Sequence, residues 1–154
     1  TSQTVAVSKG KPVIVKLPPL VSDIANLAKR IEAAGASAIS LINSLPAMAI
    51  DLYQRKPKLG NVTGGLSGPP IKPLALRQIF LVAKAVSIPV IGMGGIFSAE
   101  DALEFFLAGA TAVEVGTATL KDPRSALFIL EGIEKHLWEI EEDLSHFRGS
   151  LILD

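Results

Sequence analysis

Short continuous apolar runs alternate along this chain with stretches of helical period. Val13-Ile14-Val15-Lys16-Leu17 is a β-branched run entered through Lys11-Pro12 and stopped by Pro18-Pro19. A central strand tolerates no internal proline, so these margins predict a strand over 13–17. Ser22 or Asp23 can then cap a helix with Ile24, Leu27, Ala28 and Ile31 on one face, and Gly35 suits its left-handed C-terminal position. Ala38–Ile42 reads as a second strand that ends at Asn43-Ser44. From Leu45 to Lys72 periodicity is weak and turn residues abound. Structureless stretches of that length are uncommon in compact domains and are usually functional.

Pro73 is placed to start a helix striped by Leu76, Ile79, Phe80 and Ala83. Pro89–Met93 followed by Gly94-Gly95 predicts a third strand and a glycine turn. Ser98 and Asp101 resemble a capping box opening a helix that ends at Gly109. Ala112–Val115 predicts a fourth strand, running into Gly116-Thr117. Asp122-Pro123 offers an N-cap and a first-turn proline for a helix to about Ile140, whose Trp138, like the phenylalanines, falls at a spacing expected of core. Glu100 and Asp101 are expected to serve only their helix N-terminus. The tail from Glu141 carries no assignable pattern.

The pattern also repeats. Position 13 recurs at 90 and position 38 at 112, offsets of 77 and 74 residues, and both copies carry Ala-Gly-Ala before their second strand. Two related βαβ units with short apolar strands indicate a parallel sheet whose strands are buried on both faces. An open doubly wound sheet and a (β/α) barrel are the two candidates. Gly94-Gly95 and Gly116-Thr117 lie at C-terminal strand ends, where the last strands of a TIM barrel bind phosphate through backbone N–H groups. No G-x-G-x-x-G follows the first strand. A full barrel takes about 250 residues and eight strands. The expectation is a single domain, 1–154, forming the second half of a (β/α)8 TIM barrel, with four βα units.

Composition narrows the class. The 154 residues are 49% apolar and 19% charged, with 15 basic and 15 acidic side chains and no net charge. A nucleic-acid or anionic-membrane binder would need a basic excess. Cysteine is absent, which removes disulfides, thiolate metal sites and a cysteine nucleophile from the chain. No run of eighteen apolar residues or secretory pattern is present, so a cytoplasmic location is expected. The chain opens on Thr1, not Met, so a preceding segment is expected. A half barrel would leave Val13–Leu17 and Ala112–Val115 as unpaired edges, and self-association is expected from them.

The candidate chemistry sits at strand ends. Lys16 is a charge closing an apolar strand and faces the barrel mouth, unless it is a strand-end lysine snorkelling to the surface. Asn43-Ser44 offers donors and acceptors at the next strand end, where a turn-initiating Asn is the plainer reading. Gly64-Gly65-Leu66-Ser67-Gly68 has the composition of a loop that covers a phosphate or cofactor. His136 and His146 have no neighbours at ligand spacing and read as surface residues.

Val15-Lys16-Leu17-Pro18-Pro19, Ile42-Asn43-Ser44, the run Gly64 to Leu76, Ile91-Gly92-Met93-Gly94-Gly95-Ile96 and Val115-Gly116-Thr117-Ala118 together resemble class 1 dihydroorotate dehydrogenase. Gly-Leu-Ser-Gly-Pro-Pro-Ile-Lys-Pro-Leu-Ala-Leu is the most specific element, and the flavour is closest to class 1B. The resemblance covers nearly the whole chain and implies an FMN oxidoreductase of pyrimidine biosynthesis that converts dihydroorotate to orotate. It implies a homo-oligomer and a second subunit carrying FAD and an iron–sulfur cluster, with no nucleic-acid or membrane partner. By position, Lys16 would contact the flavin ring and Ile42 would contact FMN through its backbone. Asn43 and Ser44 would hydrogen-bond dihydroorotate, while Gly68, Gly94, Gly95, Gly116 and Thr117 would cradle the FMN phosphate. The family's catalytic base, a cysteine in class 1B, precedes the Lys16 strand and is expected upstream of Thr1. No catalytic base or metal site is expected here, so the isolated chain should be inactive. Two other readings stay open: a non-catalytic half-barrel module for flavin or phosphate, and another FMN barrel oxidoreductase acting on a pyrimidine.

Overall fold

The prolines and glycines that punctuate the sequence also punctuate the structure. In the computed structural model, which describes residues 1–153, the elements are α1 (Ser2–Val7), β1 (Ile14–Lys16), α2 (Ile24–Ala33), β2 (Ala38–Leu41), β3 (Leu45–Met48), β4 (Ile50–Asp51), β5 (Lys56–Pro57) and β6 (Thr63–Leu66). They continue as α3 (Lys72–Ala83), β7 (Val90–Met93), α4 (Ala99–Leu107), β8 (Ala112–Glu114), α5 (Thr117–Lys121), α6 (Ser125–Glu139) and α7 (Leu144–Phe147). A 3-10 turn, Pro69–Ile71, leads into α3.

β1, β2, β7 and β8 pair in that order, all parallel, into one four-stranded sheet. This is a partial TIM barrel. The register repeats as the sequence does: Ile14 faces Ala38 and Lys16 faces Ser40, as Ile91 faces Ala112 and Met93 faces Glu114. Between the sheet and the helices lies the core. Ile39 and Leu41 of β2 and Val90 of β7 pack with Ala28 of α2, Ile79 of α3 and Phe105 of α4. Burying each such large side chain contributes about 1.5–3 kcal/mol. Gly92 is required here, because a Cβ on it would stand 2.5 Å from the Phe105 ring.

Among the described residues, only strand β2 is buried along its whole length. The outer strands alternate instead, with Ile14 and Lys16 of β1 and Ala112 and Glu114 of β8 exposed around half-buried centres. Burial of every strand on both faces, as the apolar runs suggest, therefore fails at the two edges, which have a neighbour on one side only.

Helix ends follow local chemistry. The Asp23 carboxylate accepts from Asn26 N at 2.9 Å and caps α2, and Gly35 beyond that helix has φ +87°. Ser98 and Asp101 form a reciprocal capping box on α4. Asp122-Pro123, in contrast, does not begin the long helix. Thr117–Lys121 forms a helix of its own, closed by Asp122 N donating to Ala118 O, and α6 starts at Ser125. The Asp122 carboxylate accepts from Arg124 N at 2.9 Å, shaping the turn between the two.

Trp138 is not core: it is 81% exposed, and Phe128 is also exposed. α6 packs inward through Ile129 and Ile133, with Gly132 against Ala99 of α4. Trp138 lies well round the helix from that face at 3.6 residues per turn. Phe105, Phe106 and Phe147 are buried as expected.

The unassigned stretch after Asn43 is an arm of two antiparallel ribbons. β3 pairs β6, with Leu45 opposite Leu66 and Met48 opposite Thr63, and β4 pairs β5 further out. Its outer part exposes Leu52 and Tyr53, the latter at 96%.

Candidate functional site

The C-terminal ends of the four parallel strands surround a cavity of about 280 Å³. Its lining includes Lys16, Ile42, Asn43, Ser44, Gly68, Gly94, Gly95, Gly116 and Thr117, whereas of the expected Gly64–Gly68 covering loop only Ser67 and Gly68 reach it, Gly64–Leu66 being part of strand β6 instead. A larger cavity of about 490 Å³, near Lys84, Thr111 and Arg148, contains none of them.

Each residue is brought there by its strand. Lys16 ends β1, anchored by Leu17 N donating to Ser40 O at 2.8 Å. Ile42 continues β2; it is buried and its N–H donates to Met93 O at 3.1 Å. Asn43 Oδ1 accepts from Ser44 N at 2.9 Å, which turns the chain into the arm. Ser44 leans on Gly65 of the returning strand, where a Cβ would collide with the Ser44 hydroxyl. Both legs of the arm therefore belong to the cavity wall.

The glycines have distinct reasons. Gly68 has φ +88° and Gly95 φ +83°, a region L side chains rarely adopt. A Cβ on Gly95 would stand 2.8 Å from Gly68 O and Lys72 Cβ and 2.9 Å from Lys72 N. Gly95 thus serves close approach between two stretches of the chain's own backbone. Gly116 is the opposite case, with open space within 4 Å of where its Cβ would stand. That space leaves the Gly116 peptide accessible to a ligand atom.

Glu114 is the charged lining residue that strand-end reasoning passed over. It ends β8 and accepts from Ser40 Oγ at 3.1 Å through Oε1. The signal was present: a charge closing an apolar strand, the argument that singled out Lys16. Ser67 and Met93, both within the motif runs, also line the cavity, as does Phe97, which no motif marks.

Behind the lining, Asp101 does more than cap its helix. Lys72 Nζ lies 2.6 Å from Asp101 Oδ1 and 2.9 Å from Glu104 Oε2. Asp101 Oδ2 accepts from Phe97 N at 2.8 Å and Ser98 N at 3.0 Å. Burial pushes the Asp101 carboxyl up, but the Lys72 ammonium and these N–H donors outweigh it and hold it below its ordinary range. The hydrogen bonds to Asp101 and then Glu104 raise Lys72 above its ordinary value.

His136 and His146 lie on α6 and α7, outside the cavity, and His136 packs edge-on against Phe147. No group of three or more acidic or histidine side chains is placed to hold a metal ion among the described residues. No helix among them is long and apolar enough to cross a membrane.

Comparison with known proteins identifies the family. Residues 1–137 match the family model described as dihydroorotate dehydrogenase. The chain is 58% identical over 142 residues to the dihydroorotate dehydrogenase B (NAD(+)) catalytic subunit of Trichlorobacter lovleyi, covering 92% of this chain and 47% of that one. It is 56% identical over 142 residues to the subunit of the same name from Alkaliphilus oremlandii, with the same coverage. Against that of Desulforamulus reducens it is 58% identical over 132 residues, 86% of this chain and 43% of the other. The chain spans about half the length of the curated relatives it matches.

Proposed function

The chain belongs to the dihydroorotate dehydrogenase family, and on that premise we propose that it supplies the FMN-phosphate cradle and one wall of the substrate site for oxidation of dihydroorotate to orotate. The observation that carries the reading is the meeting of Lys16, Asn43, Ser44 and the three glycine turns in one cavity at the C-terminal ends of the strands.

The lining suits FMN. Gly68, Gly94, Gly95, Gly116 and Thr117 would present a phosphate with backbone N–H groups, and the open side of Gly116 would admit close approach. Lys16 and Ile42 hold the isoalloxazine, Lys16 by charge and Ile42 by its peptide. Asn43 and Ser44 hydrogen-bond the pyrimidine ring and orient it. When bound, FMN supplies a hydride acceptor for C6 of dihydroorotate. Lys16 would place a positive charge beside the flavin ring, where it would stabilise negative charge. Loss of the C5 proton needs a base held on the other face of the substrate. Neither histidine is at the cavity and Glu114 is hydrogen-bonded by Ser40; following the family resemblance, the base is proposed to lie in the half of the relatives' length that this chain does not match. A second subunit carrying FAD and an iron–sulfur cluster, as the family resemblance implies, would take up the electrons.

Titration with FMN and with riboflavin, followed by flavin fluorescence, tests the cradle. FMN is expected to bind more tightly, and equal affinity would overturn the phosphate assignment. In anaerobic stopped-flow experiments, dihydroorotate should bleach bound flavin negligibly with this chain alone and rapidly once the N-terminal half is supplied. Rapid bleaching by the chain alone would show that a base lies within it.

A further inference from the structure

We propose that Lys72 is a positioning residue that clamps the Gly68 turn to the Gly94–Gly95 turn and so fixes the shape of the cavity's anion-binding end; this rests on reading that cavity as a flavin-phosphate site. Lys72 does not itself line the cavity. Its backbone and its side chain grip the same glycine turn from two sides.

The backbone contact comes first. Gly68, at φ +88°, turns the chain into Pro69–Ile71, and Lys72 begins α3. Gly68 O and Lys72 N and Cβ stand so close to Gly95 that no side chain fits between them. Beyond that contact, the Lys72 ammonium reaches the first turns of α4, at 2.6 Å from Asp101 and 2.9 Å from Glu104. Asp101 returns the connection to the glycine turn by accepting from Phe97 N and Ser98 N. A closed loop results, running from Gly68 through Lys72 and Asp101 to Phe97 and back to Gly95. The Lys72 and Asp101 side chains are both largely shielded, at 23% and 18% exposure, so solvent screens this pair less than an open surface pair. Without the ammonium, two carboxylates three residues apart on α4 face each other with no counter-charge, which favours a shift of the Phe97–Asp101 turn.

The test compares the chain with its Lys72→Met, Lys72→Arg and Asp101→Asn variants, reading FMN and riboflavin affinities and amide hydrogen exchange. Lys72→Met keeps the stem and removes the charge. It should weaken FMN binding about tenfold while riboflavin, which lacks the phosphate, changes little. Phe97 and Ser98 amides should exchange about tenfold faster while those of β2 hold. Lys72→Arg should keep the preference for FMN. Asp101→Asn separates positioning from long-range attraction: a loosened clamp weakens FMN binding, whereas removal of a nearby negative charge would by itself strengthen it. An unchanged FMN-to-riboflavin preference in Lys72→Met, or tighter FMN binding by Asp101→Asn, would overturn the proposal. If the unaltered chain shows no preference between the flavins, the phosphate-site reading fails, and exchange at Phe97 and Ser98 alone decides the clamp. Unchanged exchange there would then overturn it.

Discussion

The two βαβ repeats, β1–α2–β2 and β7–α4–β8, are nearly superimposable in their bonding at the N-terminal ends of their strands and unlike at the C-terminal ends. At the N-terminal end of the first, Val13 N donates to Ser37 Oγ at 3.0 Å and Ser37 N donates to Val13 O at 2.8 Å. At the equivalent place in the second, Val90 N reaches Thr111 Oγ1 at 3.4 Å and Thr111 N donates to Val90 O at 2.7 Å. Gly35 and Gly109 precede those braces with φ +87° and +106°. At the opposite end, one repeat closes with Lys16-Leu17-Pro18-Pro19 and the other with Met93-Gly94-Gly95. Both ends belong to the same strands, yet only one carries the cavity with the candidate residues. The difference separates two tasks: N-terminal strand ends hold the sheet together, and C-terminal ends are free to differ because chemistry, not register, shapes them.

The sharpest break between the ends should come from Lys16→Ala. In protein that includes the N-terminal half, it should slow anaerobic flavin reduction on the order of a hundredfold, as loss of a preorganised charge does, with Tm almost unmoved. A rate within twofold of the unaltered protein would remove Lys16 from the flavin ring.

Paired glycine substitutions come next. Gly95→Val drives a side chain into Gly68 O and Lys72, and should cost roughly 1–3 kcal/mol of FMN binding. Gly109→Ala puts a Cβ 2.7 Å from Ala83 Cβ and should lower Tm without altering the preference for FMN over riboflavin. Calorimetric titration beside thermal melts would show whether the two effects separate.

Ser37→Ala and Thr111→Ala should each destabilise the fold by about 1 kcal/mol in urea unfolding. Because they brace different strand pairs, their effects should add. A strongly non-additive double variant would show the repeats to be coupled at this end.

The smallest effect concerns pH. Asp101 is held below its ordinary range in the folded state, so its contribution is fully present above that range and is lost as pH falls through it to the depressed value. The Lys72 contribution has the opposite sense, being complete below its ordinary value and lost as pH rises through the raised one. Asp101→Asn should flatten the acid limb of a stability-against-pH curve while leaving Ser37 and Thr111 variants with the limb intact.

Much of this was legible because local chemistry and tertiary context agree. Proline margins marked β1, the Ser98 and Asp101 side chains marked α4, and Gly35 and Gly109 marked the turns that close each repeat. The arm escaped detection because its pairing joins Leu45 to Leu66 across many residues, with Pro46 in β3, Pro57 in β5 and Gly64-Gly65 in β6. Exposed ribbons bury too little to impose a clean alternation. Trp138 misled because helical spacing says which residues share a face and not which face is covered. Lys16, Asn43 and the glycines were readable at strand ends; Glu114 was equally readable, and Lys72 was not, because its partners lie 29 and 32 positions away on another helix.

The arm ties a distant surface to the cavity. Its two legs leave and rejoin the barrel at Ser44 and Ser67, both in the cavity wall, and Gly65 keeps the legs in contact beside Ser44. The β3–β6 ladder pairs the two legs near the root, while Tyr53 stands exposed at the far end. Two consecutive ladders, β4–β5 and β3–β6, thus join the tip to the cavity wall. Asn43 and Ser44 stand at the root of that same ribbon, so the exposed tip and the cavity wall belong to one continuous hairpin.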